Sequence, residues 1–115
     1  LLQLQDPTLR LLNYNNRVGS TTAVGQYPDG ISPYGVHGLA GNVFEWVSDW
    51  YNSDYYSLSP LMDPQGPSSG EWRTARGGHF RALRDASTVS VRNRVKPESR
   101  DPILGFRCAR SDAPP

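Results

Sequence analysis

The sequence has 115 residues, with 12 Lys+Arg against 11 Asp+Glu and 37 % hydrophobic residues. That length bounds it to one domain or part of one, and no stretch approaches the roughly 18 apolar residues that a membrane helix needs. Its single cysteine, Cys108, excludes an internal disulfide, no signal peptide is visible, and a cytoplasmic location is the expectation; the start at Leu1 points to an excised piece.

In chain order, "LLQLQDPTLRLLNYNN" opens apolar but meets Pro7, which limits it to a short helix or an extended arm. "NYNNRVGSTTAVGQYPDGISPYG" is dense in Asn, Gly and Pro and reads as surface turns. In "HGLAGNVFEWVSDWY" the alternation puts Phe44, Trp46, Ser48 and Trp50 on one face of a strand. Trp46 and Trp50 are therefore expected among the most buried residues, with Phe106 beside them. Residues 52–71 form a long polar loop holding three prolines. "RTARGG" returns as a strand whose Gly pair permits close backbone approach, "ASTVSVRNRV" alternates as another, and "LGFRCAR" closes the chain as a strand with Phe106 and Cys108 facing inward.

Charge is unevenly spread. Residues 1–72 hold Arg10 and Arg17 as basic groups against Asp6, Asp29, Glu45, Asp49, Asp54, Asp63 and Glu71; the other basic residues all lie between 73 and 110. No aromatic-interleaved basic stripe marks a nucleic-acid surface. The reading adopted is that these arginines hold irregular loops and pair with the acidic first half through their planar five-donor fork. His37 and His79 lack the spacing of a zinc site. Asp85, Ser87 and His79 lack the G-x-S-x-G elbow of a nucleophilic triad.

"LLNYNN", "TTAVGQYPDG", "GLAGNVFEWVSDWY", "RTARGG" and "GFRCAR", in that order, resemble the C-terminal half of the formylglycine-generating enzyme, or sulfatase-modifying-factor, family. The resemblance implies an α+β, irregular C-type-lectin-like fold of short strands and long loops with bound calcium. It also implies that residues 1–115 are the C-terminal part of a domain whose N-terminal part is missing or supplied by a second chain.

Enzymes of that family oxidise a sulfatase cysteine with copper held by two thiolates, ligands suited to a soft ion. Aligned on "RGG", the two cysteine positions here are Ala82 and Ser87, so no copper is expected. One calcium site would take Asn13, the Tyr14 carbonyl, Asn16 and the Val18 carbonyl. The other would take the Gly41 and Val43 carbonyls and Glu45, with its usual Asn or Asp replaced by Gly38. Calcium wants six to eight oxygens. Asn16 stands where an acid is common, which weakens the first site, and Asn13 and Asn16 equally suit Asx turns; Glu45 equally suits a pair with a C-terminal arginine.

The expected function is a non-catalytic module binding a protein or small molecule through residues set between "RGG" and "GFR": His79, Arg81, Leu83, Asp85, Asn93, Arg94 and Asp101. Variable proteins of diversity-generating retroelements carry their exposed, randomised residues in that same stretch. Two alternatives stay open: a regulatory domain of a larger kinase- or protease-type protein, and a formylglycine-generating oxidoreductase with its cysteines elsewhere.

Overall fold

A computed structural model describes residues 9–110; the opening arm around Pro7 lies outside them. Four short strands form one sheet: β1 (Phe44–Trp50), β2 (Arg73–Arg76), β3 (Arg92–Val95) and β4 (Leu104–Gly105), in the order β3-β2-β1-β4. β1 pairs antiparallel with β2 and parallel with β4, and β2 pairs antiparallel with β3. The one α-helix among the described residues, α1, is the single turn Tyr55–Leu58, and 3-10 turns lie at Pro28–Gly30 and Arg84–Ser87. This is an α+β arrangement in which loops outweigh regular elements.

The most deeply buried residues lie where β2 meets the loops packed against it. Leu12, Tyr14, Ala75, Phe80 and Ala82 are the buried apolar groups, joined by Asn13, Thr74 and Ser87. Backbone hydrogen bonds braid the loops. Asn42 donates to the Asn13 carbonyl (2.8 Å) and Gly41 to that of Gly77 (2.6 Å); Phe80 returns to Asn42 (2.8 Å). Asn15 reaches Ala82 (2.8 Å) and Asn16 reaches Phe80 (2.7 Å). These bonds do for irregular backbone what a ladder does for a strand, since buried amides must find partners. The Gly pair earns its place by contact. A Cβ on Gly77 would lie 2.7 Å from the Leu39 carbonyl oxygen and one on Gly78 2.5 Å from the Ser87 Cα, at φ of +90° and +72°.

Several expectations need correction. Trp46 and Trp50 are only partly buried, because β1 breaks register between them and Trp50 stacks instead under the Arg73 guanidinium, 3.6 Å from the ring centroid. The third strand keeps only its last four residues, Arg92–Val95: Arg84–Ser87 coils into a 3-10 turn and pairing begins at Arg92. The terminal strand shrinks to Leu104–Gly105, and Phe106, 75 % exposed, and Cys108 both face solvent. Arg107 folds over onto Glu45 beyond the end of the two-residue β4, so residues 106–108 lie past the paired backbone.

The arginine-rich second half holds loops, as expected. Arg73 donates to the Ser48 carbonyl (2.6 Å), Arg76 to those of Val89 (3.0 Å) and Ser90 (3.2 Å), and Arg92 to those of Asn52 (3.0 Å) and Ser53 (3.4 Å). The polar 52–71 loop is thereby pinned at its start, and Tyr56 on α1 sits 4.1 Å from Arg92. A hydrogen bond from Arg76 (3.0 Å) lowers the pKa of the Tyr56 phenol.

Candidate functional site

The predicted ligand-binding residues fall into three neighbourhoods rather than one. His79 packs its ring 4.8 Å from Phe44, Arg81 lies over Phe80 at 5.1 Å, and Asp101 is close enough for its charge to act on His79. Burial, then the nearby Arg81 charge, hold the His79 pKa below 6.5, with Asp101 pulling the other way. Asp101 also caps the loop before β4, accepting from the Ile103 amide (3.0 Å). Leu83 and Asp85 stand apart, on a shallow depression shared with Tyr14, Asn15 and Arg17; Asp85 pairs with Arg84 at 3.1 Å. Asn93 and Arg94 lie on β3, with Arg94 stacked 5.4 Å from the Trp72 ring and Lys96 on the same ring at 4.2 Å.

The positions aligned with copper ligands hold no thiol. Ala82 is buried in the loop core, and Ser87, also buried, donates from its hydroxyl to the Leu83 carbonyl (3.0 Å). A methyl and a hydroxyl committed inside a turn do not fit a soft ion.

The first calcium candidate fits in part. Asn13 is 1 % exposed. Its amide nitrogen donates to the Ser20 carbonyl (2.8 Å) and to Asn42 Oδ1 (3.3 Å), while its own Oδ1 has no partner among the described residues. A buried amide oxygen without a donor is costly, and a cation or water would relieve it. Asn15 and Asn16 hold φ of 53° and 52°, left-handed values that Asn tolerates. Asn16 and Val18 are exposed, and the Tyr14 carbonyl accepts from Arg17 (3.2 Å).

At the second candidate the carboxylate is already paired. Both Glu45 oxygens are taken by Arg107, at 2.7 Å from Nε and 2.5 Å from Nη2, and the same guanidinium donates to the His37 (2.8 Å) and Gly38 (3.0 Å) carbonyls. Glu45 in turn raises the Arg107 pKa above its ordinary value. The lone acid of this loop is thus spent on a pair, and no group of three His, Cys, Asp or Glu among the described residues is placed to hold a metal.

Residue-type reasoning missed two features. Asn42, at φ 63°, is a hub: its Oδ1 accepts from the Thr22 amide (2.9 Å) and hydroxyl (3.3 Å) as well as from Asn13, and its Nδ2 donates to the Thr22 carbonyl (3.2 Å). "Gly-Asn" before a strand was the available signal. The convergence of Arg107 on His37 and Gly38 had none, being set by contacts some 70 residues apart in sequence.

Residues 4–112 match the sulfatase-modifying factor enzyme 1-like domain. Serine/threonine-protein kinase pkn1 of Chlamydia pneumoniae is 42 % identical over 79 % of this chain and 15 % of its own length. Formylglycine-generating enzyme of Streptomyces coelicolor is 42 % identical over 78 % of the chain and 29 % of itself. Among solved structures, Treponema denticola variable protein 1 superposes with a TM-score of 0.68 at 30 % identity, over 84 % of this chain and 34 % of that one. PvdO from Pseudomonas aeruginosa gives 0.72 at 25 % identity, over 90 % and 41 %. The chain thus spans well under half of each of these relatives. No helix among the described residues is long and apolar enough to cross a membrane. With an irregular C-type-lectin-like fold and the loop braid that its motifs build, this chain belongs to the formylglycine-generating enzyme, or sulfatase-modifying-factor, family.

Proposed function

We propose that the chain is a non-catalytic recognition module on this scaffold. The observation that carries the reading is the contrast between a fixed frame and what it displays. Gly77, Gly78 and Phe80 are buried in the braid, whereas Arg81, Leu83, Asp85, Arg94 and Asp101 are exposed around it. Binding residues on loops held by a rigid scaffold are a common use of such an arrangement. Of the displayed residues, His79, Arg81 and Asp101 form the favoured patch. They combine an aromatic floor at Phe44 with one positive and one negative group, which suits a protein or small-molecule ligand bearing both charges. The likeness to a variable protein of Treponema denticola supports this reading; the Ala82 and Ser87 substitutions argue against family chemistry. Calcium, if bound, belongs at the Asn13 turn, where the unpartnered Oδ1 supports it.

Incubated with a sulfatase-type cysteine peptide, with or without copper, the chain should leave the cysteine unchanged by mass spectrometry; conversion to formylglycine would sink the proposal and favour the oxidoreductase alternative.

A second reading has a specific observation behind it: the pkn1 likeness covers most of this chain but a small share of the kinase. On that reading the module is the accessory part of a longer protein, and the rest of the domain precedes it or comes from a second chain. The complete reading frame decides between them.

A further inference from the structure

We infer that the Arg107 guanidinium takes the place of the second cation that the family implies, so that the 37–45 loop carries its own positive charge and needs no metal. This inference stands on family membership and the loop geometry, and is independent of the recognition reading. A cation at this turn would have to gather the Glu45 carboxylate and neighbouring carbonyl oxygens. The guanidinium meets the same carboxylate with N–H donors, reaching both Glu45 oxygens and the carbonyls of His37 and Gly38 at 2.5–3.0 Å, a different pair of carbonyls from the Gly41 and Val43 that the resemblance implies for the metal. Its planar fork matches a carboxylate bidentately, which a spherical ion does not require.

Gly38 lies beside the same guanidinium. It lies at φ +66°, and a Cβ there would sit 3.7 Å from Arg107 Nη2, pointing at the guanidinium. That distance is ordinary van der Waals contact, so a carboxamide or carboxylate at position 38 would reach the guanidinium and compete with Glu45 for it. With glycine there, Arg107 is left to Glu45 and the turn's carbonyls.

The experiment compares melting in chelator and in millimolar calcium for four forms of the chain: wild type, Glu45→Gln, Arg107→Met/Gly38→Asn, and the latter with Glu45→Gln added. In the first two, any calcium-induced rise should be identical, since it can come only from elsewhere. Arg107→Met/Gly38→Asn should melt lower in chelator and gain a new rise of about 5 °C or more with calcium well above Kd. Glu45→Gln should abolish that new rise. The inference is overturned if a wild-type calcium response disappears in Glu45→Gln, or if the folded Arg107→Met/Gly38→Asn chain gains none. Should that variant fail to fold, the wild-type and Glu45→Gln pair, followed by terbium luminescence, decides alone.

Discussion

Two turns of this molecule gather oxygen atoms into a small volume and deal with them in opposite ways. At the Asn13 turn a neutral amide oxygen is buried and has no partner among the described residues. At the 37–45 turn a carboxylate and two carbonyls are met by one guanidinium from the far end of the chain. The difference is one of charge supply. A partly buried carboxylate favours a counter-ion and is given one by the chain itself, whereas a lone amide oxygen carries no net charge and can be left to water or a weakly held ion. The price of the built-in solution is a side chain ordered in one geometry, and its gain is independence from ion concentration.

Gly41 joins the two turns, and breaking it should have the largest effect. It holds φ +74°, its amide donates to the Gly77 carbonyl, and a Cβ on it would lie 2.4 Å from the Asn13 carbonyl oxygen. Gly41→Val combines left-handed strain with overpacking, each costing about 1–3 kcal/mol. Chemical denaturation should therefore show a loss of about 3 kcal/mol or more. Gly35→Ala is the control: its φ is +76° but nothing lies within 4 Å, so only backbone strain of about 1 kcal/mol applies. Equal losses in the two would mean that the turns are not coupled through this contact.

The comparison sharpens if charge is added to the neutral turn. Asn16→Asp supplies the missing carboxylate, and calcium a hundredfold above Kd should then stabilise the chain by roughly 2.7 kcal/mol. Melting should rise with calcium and return in chelator, and Asn13→Ala should remove the rise. A melting curve indifferent to calcium in both wild type and Asn16→Asp would show that the turn is held by its backbone bonds alone.

The smallest effect separates a permanent cation from a titrating one. Arg107 is charged at every working pH, but the fold disfavours charge on His79, whose pKa lies below 6.5. Below 6.5 the unfolded chain binds the proton more readily than the folded one. The His79 contribution is therefore complete above pH 6.5 and is lost as pH falls through the depressed folded value. Melting temperature should decline modestly from pH 7 toward pH 5, and His79→Gln should flatten that part of the decline. An unchanged slope in His79→Gln would assign the acid sensitivity to other groups.

Much of the frame was legible. The alternation in "NVFEWVSDW" marked β1, and "RTARGG" gave a strand ending in two glycines that real contacts demand. The burial of Trp46, Trp50, Phe106 and Cys108 was misjudged. Period-two patterning says which residues share a face but not whether that face is covered. At the site, Glu45 was visible as a cation ligand or an arginine partner, and the residue types left both open. His79, Arg81 and Asp101 gather on one patch while Leu83, Asp85, Asn93 and Arg94 do not, because loop paths, not sequence separation, decide who meets.

By itself the sequence determined the family, the strand–glycine frame and the loss of both thiolate positions, since these are properties of residue type and short-range spacing. Only the tertiary structure decided how the two oxygen-rich turns are satisfied. Arg107 comes within 2.5 Å of a carboxylate 62 residues away through the parallel pairing of β4 with β1, an approach that residue type and short-range spacing do not encode.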